Sequence, residues 1–265
     1  MSNVKNSLQM NPSLVLSLIV ATVVIGSLMA LYYLVVWPMA AAAQNALGSG
    51  AATNPWVIFK DVEQLSCLML GFFCLFIIAY KAKEIGRQSQ INTKREFNKF
   101  KAITNNTGLE ALYTEINDDE NENRGTAPMT VWSNCIKRFN NTGSVHDASE
   151  AMKDSIAMLE KQLEAGNNVI RYIIWAIPSI GFVGTVRGIG SALARAQEAV
   201  AGNIGGMVDM LGVAFNSTLV SLIISLVLML ALHILNNLQD KLVIDIQKMS
   251  EDTILNYMHL MKKAS

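Results

Sequence analysis

Residues 210–235 read MLGVAFNSTLVSLIISLVLMLALHIL and carry no formal charge. A bilayer core requires about 20 consecutive apolar residues in a helix, so this stretch is long enough to cross one. Leucine, valine, isoleucine and methionine dominate it, and its polar side chains are hydroxyls, one amide and one imidazole. The stretch therefore predicts a transmembrane helix.

Three more stretches are mainly apolar: residues 13–37, which carry no charge, about 56–80, which are charge-free from 64 onward, and 172–194, which contain Arg187 as their one charge. Together they predict an all-α membrane protein with four transmembrane helices. The alanine-rich segment 39–44 resembles a signal-peptidase site, which makes a cleaved signal the alternative for the first stretch. Because a signal-peptide core is about 7–15 residues long, the length of 13–37 favours a retained helix.

The composition agrees with a membrane protein and excludes two other classes. The chain is 51% hydrophobic and 16% charged, whereas soluble domains are usually about one-quarter charged. Its 21 basic and 21 acidic residues give no net charge, which argues against a nucleic-acid binder. Three cysteines in 265 residues argue against a disulfide-stabilised secreted scaffold.

The distribution of basic residues predicts the orientation, because cytoplasmic loops are rich in lysine and arginine. The connection 38–55 carries no charge, whereas the second span is followed by a basic run: Lys81, Lys83, Arg87, Lys94, Arg95, Lys99 and Lys101. We therefore expect both termini to be cytoplasmic. The predicted organisation is a transmembrane hairpin in 1–80, a cytoplasmic helical domain in 81–171, a second hairpin in 172–235 and a cytoplasmic helix in 236–265.

The predicted cytoplasmic domain contains two apolar helical stripes. Their members recur at the i, i+4, i+7 spacing of a helix face: Trp132, Ile136 and Phe139, then Met152, Ile156 and Leu159. The run NDDENEN at 117–123 lacks the ligand spacing and glycine of a calcium loop, which favours a solvated loop over a metal site.

No carboxylate lies inside the predicted spans once the edge residues of the second are set aside. The third span contains Arg187, about 24 Å along the helix axis from Arg171 at 1.5 Å per residue. Arg187 should therefore lie near the outer boundary of the membrane, where Asp209 is a candidate partner. A structural ion pair is the favoured interpretation, and a role in ion gating is the alternative.

A polar stripe marks the fourth span. Thr218, Ser221 and Ser225 recur on one helix face, with Asn216 just above them. Hydroxyls at this spacing often hydrogen-bond between transmembrane helices, and they can also line a path for ions. Spacing does not separate these two interpretations.

Span three contains small residues and one proline. Gly184 and Gly188 form a small-xxx-small pair that lets another helix approach closely, and Gly181 extends the same face. Pro178 removes one backbone hydrogen bond from the helix, which predicts a flexible point.

No motif for catalysis, cofactor binding or metal binding stands out. Phosphate-binding glycine loops, nucleophile motifs and zinc-ligand spacings are absent from the sequence, and its three histidines are scattered. We therefore predict a protein that is not an enzyme and that has no cofactor and no metal site.

The segment PSIGFVGTVRGIG at 178–190, followed by the fourth span, resembles the MotA/TolQ/ExbB proton channel family. The family pattern is a proline or glycine, then Gly-x-x-Gly-Thr-x-x-Gly-Ile, and a last helix with an Ala/Ser-Thr step. The matching residues here are Gly181, Gly184, Thr185, Gly188 and Ile189, then Ser217 and Thr218.

The resemblance implies an ion-driven motor or energiser in a bacterial inner membrane. It implies five copies of this chain around two copies of a single-span partner that carries a proton-accepting aspartate. The threonines that match Thr185 and Thr218 line the ion path in such proteins, and the proline that matches Pro178 is associated with helix flexing. Protons are favoured over sodium, because the first span lacks an acidic residue.

This sequence departs from the branches of that family in specific ways. Four spans match the flagellar layout, yet the inner end of the last helix lacks the second proline of those proteins. Val213 stands where the three-span members often have a glutamate, and Arg187 replaces an apolar or aromatic residue. The alternative function is a four-helix membrane scaffold without transport.

Overall fold

The computed structural model describes most of the chain: residues 12–47, 51, 54–91, 109–118, 125–256 and 258–259. All regular elements in these residues are helical. Four of the helices are long and apolar enough to cross a membrane, which confirms the prediction of an all-α protein with four such helices. Most of the acidic run 117–123 lies outside the described residues.

The helices follow in chain order: α1 (Leu14–Leu31), α2 (Trp37–Leu47), α3 (Pro55–Ile58), α4 (Val62–Ile91), α5 (109–117), α6 (Ala127–Thr142), α7 (Val145–Gly166), α8 (Asn168–Ala194), α9 (Ala196–Val200) and α10 (Gly205–Ser250). A π-helical turn, Tyr32–Val36, joins α1 to α2, and a second, Glu251–Leu255, follows α10.

The described residues form two compact units. The first comprises 12–78 and 169–233 and is called the transmembrane unit below. The second comprises 79–168 and the residues from 234 onward and is called the α6–α7 unit. It contains most of the predicted cytoplasmic segments 81–171 and 236–265, and the side of the membrane on which it lies stays a prediction.

The second span begins later than the sequence indicates. Asn54 accepts a 3.0 Å hydrogen bond from the backbone N–H of Trp56 and caps the short helix α3, not a helix that continues to residue 80. The chain then leaves the helical conformation at Phe59, and α4 begins at Val62. A 3.2 Å bond from Leu65 N–H to Asp61 O opens the new helix.

Helix α3 and the break after it pack against the first span. Val57 of α3 forms a small buried cluster with Ala40 and Ala51. The hydroxyl of Tyr32, which is itself buried, donates a hydrogen bond to the carbonyl oxygen of Lys60. These contacts fix residues 57–61 at one end of the transmembrane unit.

The core of the α6–α7 unit contains most residues of the two apolar stripes, whereas Phe139 is half-buried. Trp132, Ile136, Met152 and Leu159 are at most 2% exposed, and the indole N–H of Trp132 donates a 2.8 Å hydrogen bond to Ser250 Oγ. Between α6 and α7 the chain turns at Gly143, which has a φ of 64°. A positive φ is favourable for glycine, and this left-handed residue forms the C-cap of α6.

A buried polar cluster adds to this core. Lys81 is 2% exposed, and its ammonium donates to Gly166 O at 2.6 Å and to Asn167 Oδ1 at 2.9 Å. The Asn167 amide in turn donates to Gln239 Oε1 at 2.8 Å and to Asn236 Oδ1 at 3.0 Å. Asn167 thereby joins α4 to α10 at the point where α7 ends.

Candidate functional site

Helices α8 and α10 meet through small residues inside the transmembrane unit. Each buried glycine of α8 faces a small residue of α10: Gly181 lies against Ser221, Gly184 against Ser217 and Gly188 against Ala214. A Cβ at Gly188 would lie 2.9 Å from the backbone N and Cα of Ala214. The glycines are therefore needed for the close approach of these two helices.

Thr185 and Thr218 lie side by side at this interface. Their hydroxyls are in hydrogen-bond contact, and Thr185 Oγ1 also lies 3.0 Å from Ala214 O. Thr218 Oγ1 lies 3.3 Å from Gly181 O. The structure thus brings together the two threonines that the sequence singled out, from positions that are 33 residues apart.

Exposure divides the polar residues of α10 into two groups. Ser217, Ser221 and Ser225 are at most 4% exposed, which means that they lie within the helix packing. Thr218 and Asn216, like Thr185 on α8, are half-buried and reach the edge of the interface. The two interpretations of the stripe therefore apply to different residues: the serines can join helices, and the threonines and Asn216 are accessible to another molecule.

Ser225 has a specific packing role. Its hydroxyl donates a 3.0 Å hydrogen bond to the carbonyl oxygen of Ile174. In a regular helix this carbonyl would accept a hydrogen bond from the N–H of residue 178. Pro178 has no N–H, so that bond is missing. Helix α8 continues through Pro178 with Ser225 supplying the missing donor.

The threonine pair can accept a hydrogen bond from a further donor. Each hydroxyl carries one proton and two lone pairs, and the nearby carbonyl oxygens of Gly181 and Ala214 can only accept. Because the pair has one proton for each oxygen, lone pairs remain for a protonated carboxyl group or a hydrated proton. The pair itself does not titrate in the physiological range.

Arg187 lies at the end of the transmembrane unit near α3. Its guanidinium contacts Glu63 Oε2 at 2.8 Å and Asp61 Oδ1 at 3.8 Å. The ion pair predicted with Asp209 is corrected accordingly: among the described residues, the acidic partners of Arg187 are Glu63 and Asp61. The arginine side chain is 52% exposed, whereas those of Glu63 and Asp61 are 13% and 17% exposed.

The two acidic residues were missed because they were assigned to the membrane edge. Arg187 was predicted at the outer boundary, and the second span begins at that same boundary with Asp61 and Glu63. Their shared depth in the membrane was the sequence signal that could have indicated a contact with Arg187. Arg187 pairs with these two residues and not with Asp209 because the chain breaks between α3 and α4, and the sequence did not predict that break.

The described residues contain no group of three or more histidine, cysteine, aspartate or glutamate side chains placed to hold a metal ion. Cys67 is buried, and its thiol lies 3.6 Å from the carbonyl oxygen of Ile177. The candidate site therefore consists of hydroxyls, one amide and an ion-paired acidic cluster.

Comparison with known proteins gives one match. Residues 127–248 match the model of the MotA/TolQ/ExbB proton channel family. The matched segment contains α6, α7, α8 and nearly all of α10, so it includes both threonines and the three interface glycines. The comparisons with curated proteins and with solved structures each found no match.

Proposed function

We propose that this chain, whose residues 127–248 match the model of the MotA/TolQ/ExbB proton channel family, is the multi-span subunit of a proton-driven motor or energiser. In this proposal five copies surround two copies of a single-span partner in a bacterial inner membrane. Both termini and the α6–α7 unit lie in the cytoplasm, where the unit passes mechanical work to another machine.

The contact between Thr185 and Thr218 is the observation that carries the proposal. The two hydroxyls lie together at the accessible edge of a tightly packed helix pair, where a third helix can reach them. A polar group in this position is costly in lipid unless another protein or water covers it. A partner helix with a carboxyl group at the same depth would satisfy the hydroxyls.

The chain's charges agree with a partner that carries the proton. The stretches 64–80, 172–186 and 210–235 contain no aspartate or glutamate, so the proton acceptor inside the membrane must come from elsewhere. The threonine lone pairs would accept the hydrogen bond of the protonated carboxyl group. Deprotonation would then weaken this contact, and the partner helix would be free to move to the next subunit.

The proposal is tested by purifying the full chain with the product of a neighbouring reading frame that encodes one transmembrane helix with an aspartate. We expect five copies of this chain around two partner helices, with the aspartate at the depth of Thr218. A stable monomer that is indifferent to such a partner would refute the proposal.

The threonine pair is tested with Thr218→Val, which removes the hydroxyl and nearly keeps the volume. Proton flux into liposomes containing the complex should fall, while the subunit stoichiometry is unchanged. Thr22→Val is the matched control, because the Thr22 hydroxyl bonds to Leu18 O of its own helix at 2.9 Å. Unchanged flux in Thr218→Val would show that the pair serves packing alone.

A membrane scaffold without transport is the second candidate. The burial of Ser217, Ser221 and Ser225 in the α8–α10 interface favours it, because these hydroxyls contribute to helix packing. A scaffold would tolerate Thr185→Val and would show no proton flux with any partner. A proton flux that Thr185→Val abolishes would exclude it.

A further inference from the structure

A group of buried polar atoms at one end of the transmembrane unit lacks hydrogen-bond partners. Within the part of the chain that the structure describes, both amide atoms of Gln64, the Ser217 hydroxyl and Asp61 Oδ2 have no partner within hydrogen-bond distance. Gln64 and Ser217 are each 1% exposed. Nearly all buried polar groups in folded proteins are hydrogen-bonded, so this concentration calls for a specific cause.

Another subunit cannot supply the missing partners. The atoms are already inaccessible within the single chain, so a neighbouring protein surface cannot reach them. Their partners must be small enough to lie inside the unit. That condition restricts the occupant to the size of water or a small ion.

The contacts of Gly184 bring the start of α4 close to Ser217. Glu63 Cγ is 3.3 Å from the point where a Cβ would stand at Gly184, and Ser217 Oγ lies closer still to that point. Asp61 and Gln64 are three residues apart at the start of α4, a spacing that places them on one helix face. The charged groups that act on Asp61 are Lys60, Arg187 and Glu63, and Tyr32 covers this end through its bond to Lys60.

The mixture of donors and acceptors identifies the occupant. The Gln64 N–H groups require an acceptor, whereas Asp61 Oδ2, Gln64 Oε1 and Ser217 Oγ can accept. Water satisfies both kinds of group. A bare metal cation would leave the amide N–H groups unsatisfied and would lie beside the guanidinium of Arg187.

The position of the group suggests a route for protons. The Asp61 side chain is 17% exposed and so reaches the surface, whereas Ser217 is buried next to Thr218 in sequence. Thr218 in turn contacts Thr185. Ser217 Oγ lies against Gly184, the residue before Thr185, so water between Asp61 and Ser217 would end beside the helix segment that carries the threonine pair.

We propose that Asp61, Gln64 and Ser217 hold a buried cluster of water molecules that takes up protons at the outer side of the membrane and conducts them towards Thr218. A hydronium ion outside gives its proton to the Asp61 carboxylate, which becomes a carboxylic acid. The acid then releases that proton to a water molecule of the cluster, and the partner's carboxylate accepts it at the far end. This inference rests on the proposed proton-driven function.

The first arm of the test requires neither the partner nor transport. Infrared difference spectra of the full chain in lipid nanodiscs are recorded on acidification, and Asp61→Asn identifies the carboxylic C=O band of Asp61. We expect Gln64→Leu and Ser217→Ala each to shift this band, because they remove groups that hold the water molecules hydrogen-bonded to Asp61. An Asp61 band that is absent, or that neither substitution shifts, would overturn the proposal.

The second arm measures proton flux in liposomes that contain the complex with its single-span partner. Asp61→Asn, Gln64→Leu and Ser217→Ala should each lower the flux about tenfold, the change that the loss of one hydrogen bond of about 1.4 kcal/mol produces. Glu198→Gln is the matched control, because Glu198 is an exposed carboxylate between α8 and α10. Each variant must keep the thermal midpoint of the wild type.

The two arms separate the failure of this inference from the failure of the proposed function. If the wild-type complex conducts protons and the three variants conduct equally well, the buried cluster is not the route, while the channel function stands. If the wild-type complex does not conduct, the proposed function fails and the infrared arm alone decides whether Asp61 contacts the buried water. Flux that follows a sodium gradient would overturn the assignment to protons.

Discussion

Ser225 on α10 donates a 3.0 Å hydrogen bond to the carbonyl oxygen of Ile174 on α8. In an uninterrupted helix this carbonyl would accept from the N–H of residue 178, but Pro178 has none. A broken backbone hydrogen bond in a transmembrane helix is commonly satisfied by a serine or threonine from a neighbour. The proline and the serine, which are 47 positions apart in the sequence, therefore form one structural feature.

We predict a coupling between these positions. Ser225→Ala should destabilise the helix pair by about 1 kcal/mol, because the Ile174 carbonyl loses its donor. In a Pro178→Ala background the same change should cost much less, since the N–H of residue 178 then serves Ile174. A double-mutant cycle of unfolding in detergent measures the coupling.

The control for this cycle is Ser27→Ala. The Ser27 hydroxyl bonds to Val24 O of its own helix at 3.1 Å and is exposed, so its removal should change little in either background. Equal costs of Ser225→Ala with and without the proline would contradict the relationship.

The glycines of α8 should differ sharply in their tolerance of alanine. Gly188→Ala should destabilise the protein by about 1–3 kcal/mol, the usual range for overpacking a close contact, because the Ala214 backbone cannot move aside. Gly190, two positions later, has no described atom beyond the nearby backbone of its own helix within 4 Å of the point where a Cβ would stand. Gly190→Ala should be neutral or slightly stabilising, as alanine favours a helix over glycine.

Thermal unfolding of the purified protein in detergent compares the two alanine variants. Both substitutions add one methyl group to the same helix, so any difference reports the contact with α10. A similar loss of stability in both variants would show that α8 and α10 do not pack as closely as the Gly188–Ala214 contact indicates.

The long elements could be predicted because their signal is local. Long apolar stretches with few or no charges indicated the four spans, and the i, i+4, i+7 spacing identified Trp132, Ile136 and Met152 as core residues. Thr185 and Thr218 were found because each lies in a short motif. These features depend on residues that are close together in the sequence, so they can be recognised without knowing the fold.

The contacts that could not be predicted join distant segments. Arg187 lies 124 positions from Glu63, and its preference over Asp209 depends on where the chain breaks between α3 and α4. Lys81 was counted among the basic residues that flank the second span, yet it is buried against Gly166 and Asn167. Nothing local to Lys81 distinguishes it from the exposed Lys83.

The cluster around Asn167 should respond strongly to the loss of its central amide. Asn167→Ala would leave the buried Lys81 ammonium with one fewer acceptor and deprive Gln239 of its donor, and we expect a cost of about 2 kcal/mol or more. Adding Lys81→Met should recover part of that stability, because it removes the poorly solvated charge.

Thermal unfolding of the two single variants and the double variant provides the measurement. Asn134→Ala is the control, since Asn134 is exposed and makes one hydrogen bond, to Ser155 at 3.1 Å. A double variant that is less stable than Asn167→Ala alone would mean that Lys81 stabilises the unit without Asn167.

Cys135 should be chemically inert in the folded protein. Burial in the α6–α7 core raises the pKa of its thiol to about 12, and the thiolate is the form that reacts with alkylating reagents. In a Cys67→Ala, Cys74→Ala background, mass spectrometry should detect no alkylation of the native protein at mildly alkaline pH and complete alkylation after denaturation. Asn134→Cys on the exposed side of the same helix is the positive control and should react rapidly without denaturant. Rapid modification of native Cys135 would show that α6 and α7 separate often enough to admit the reagent.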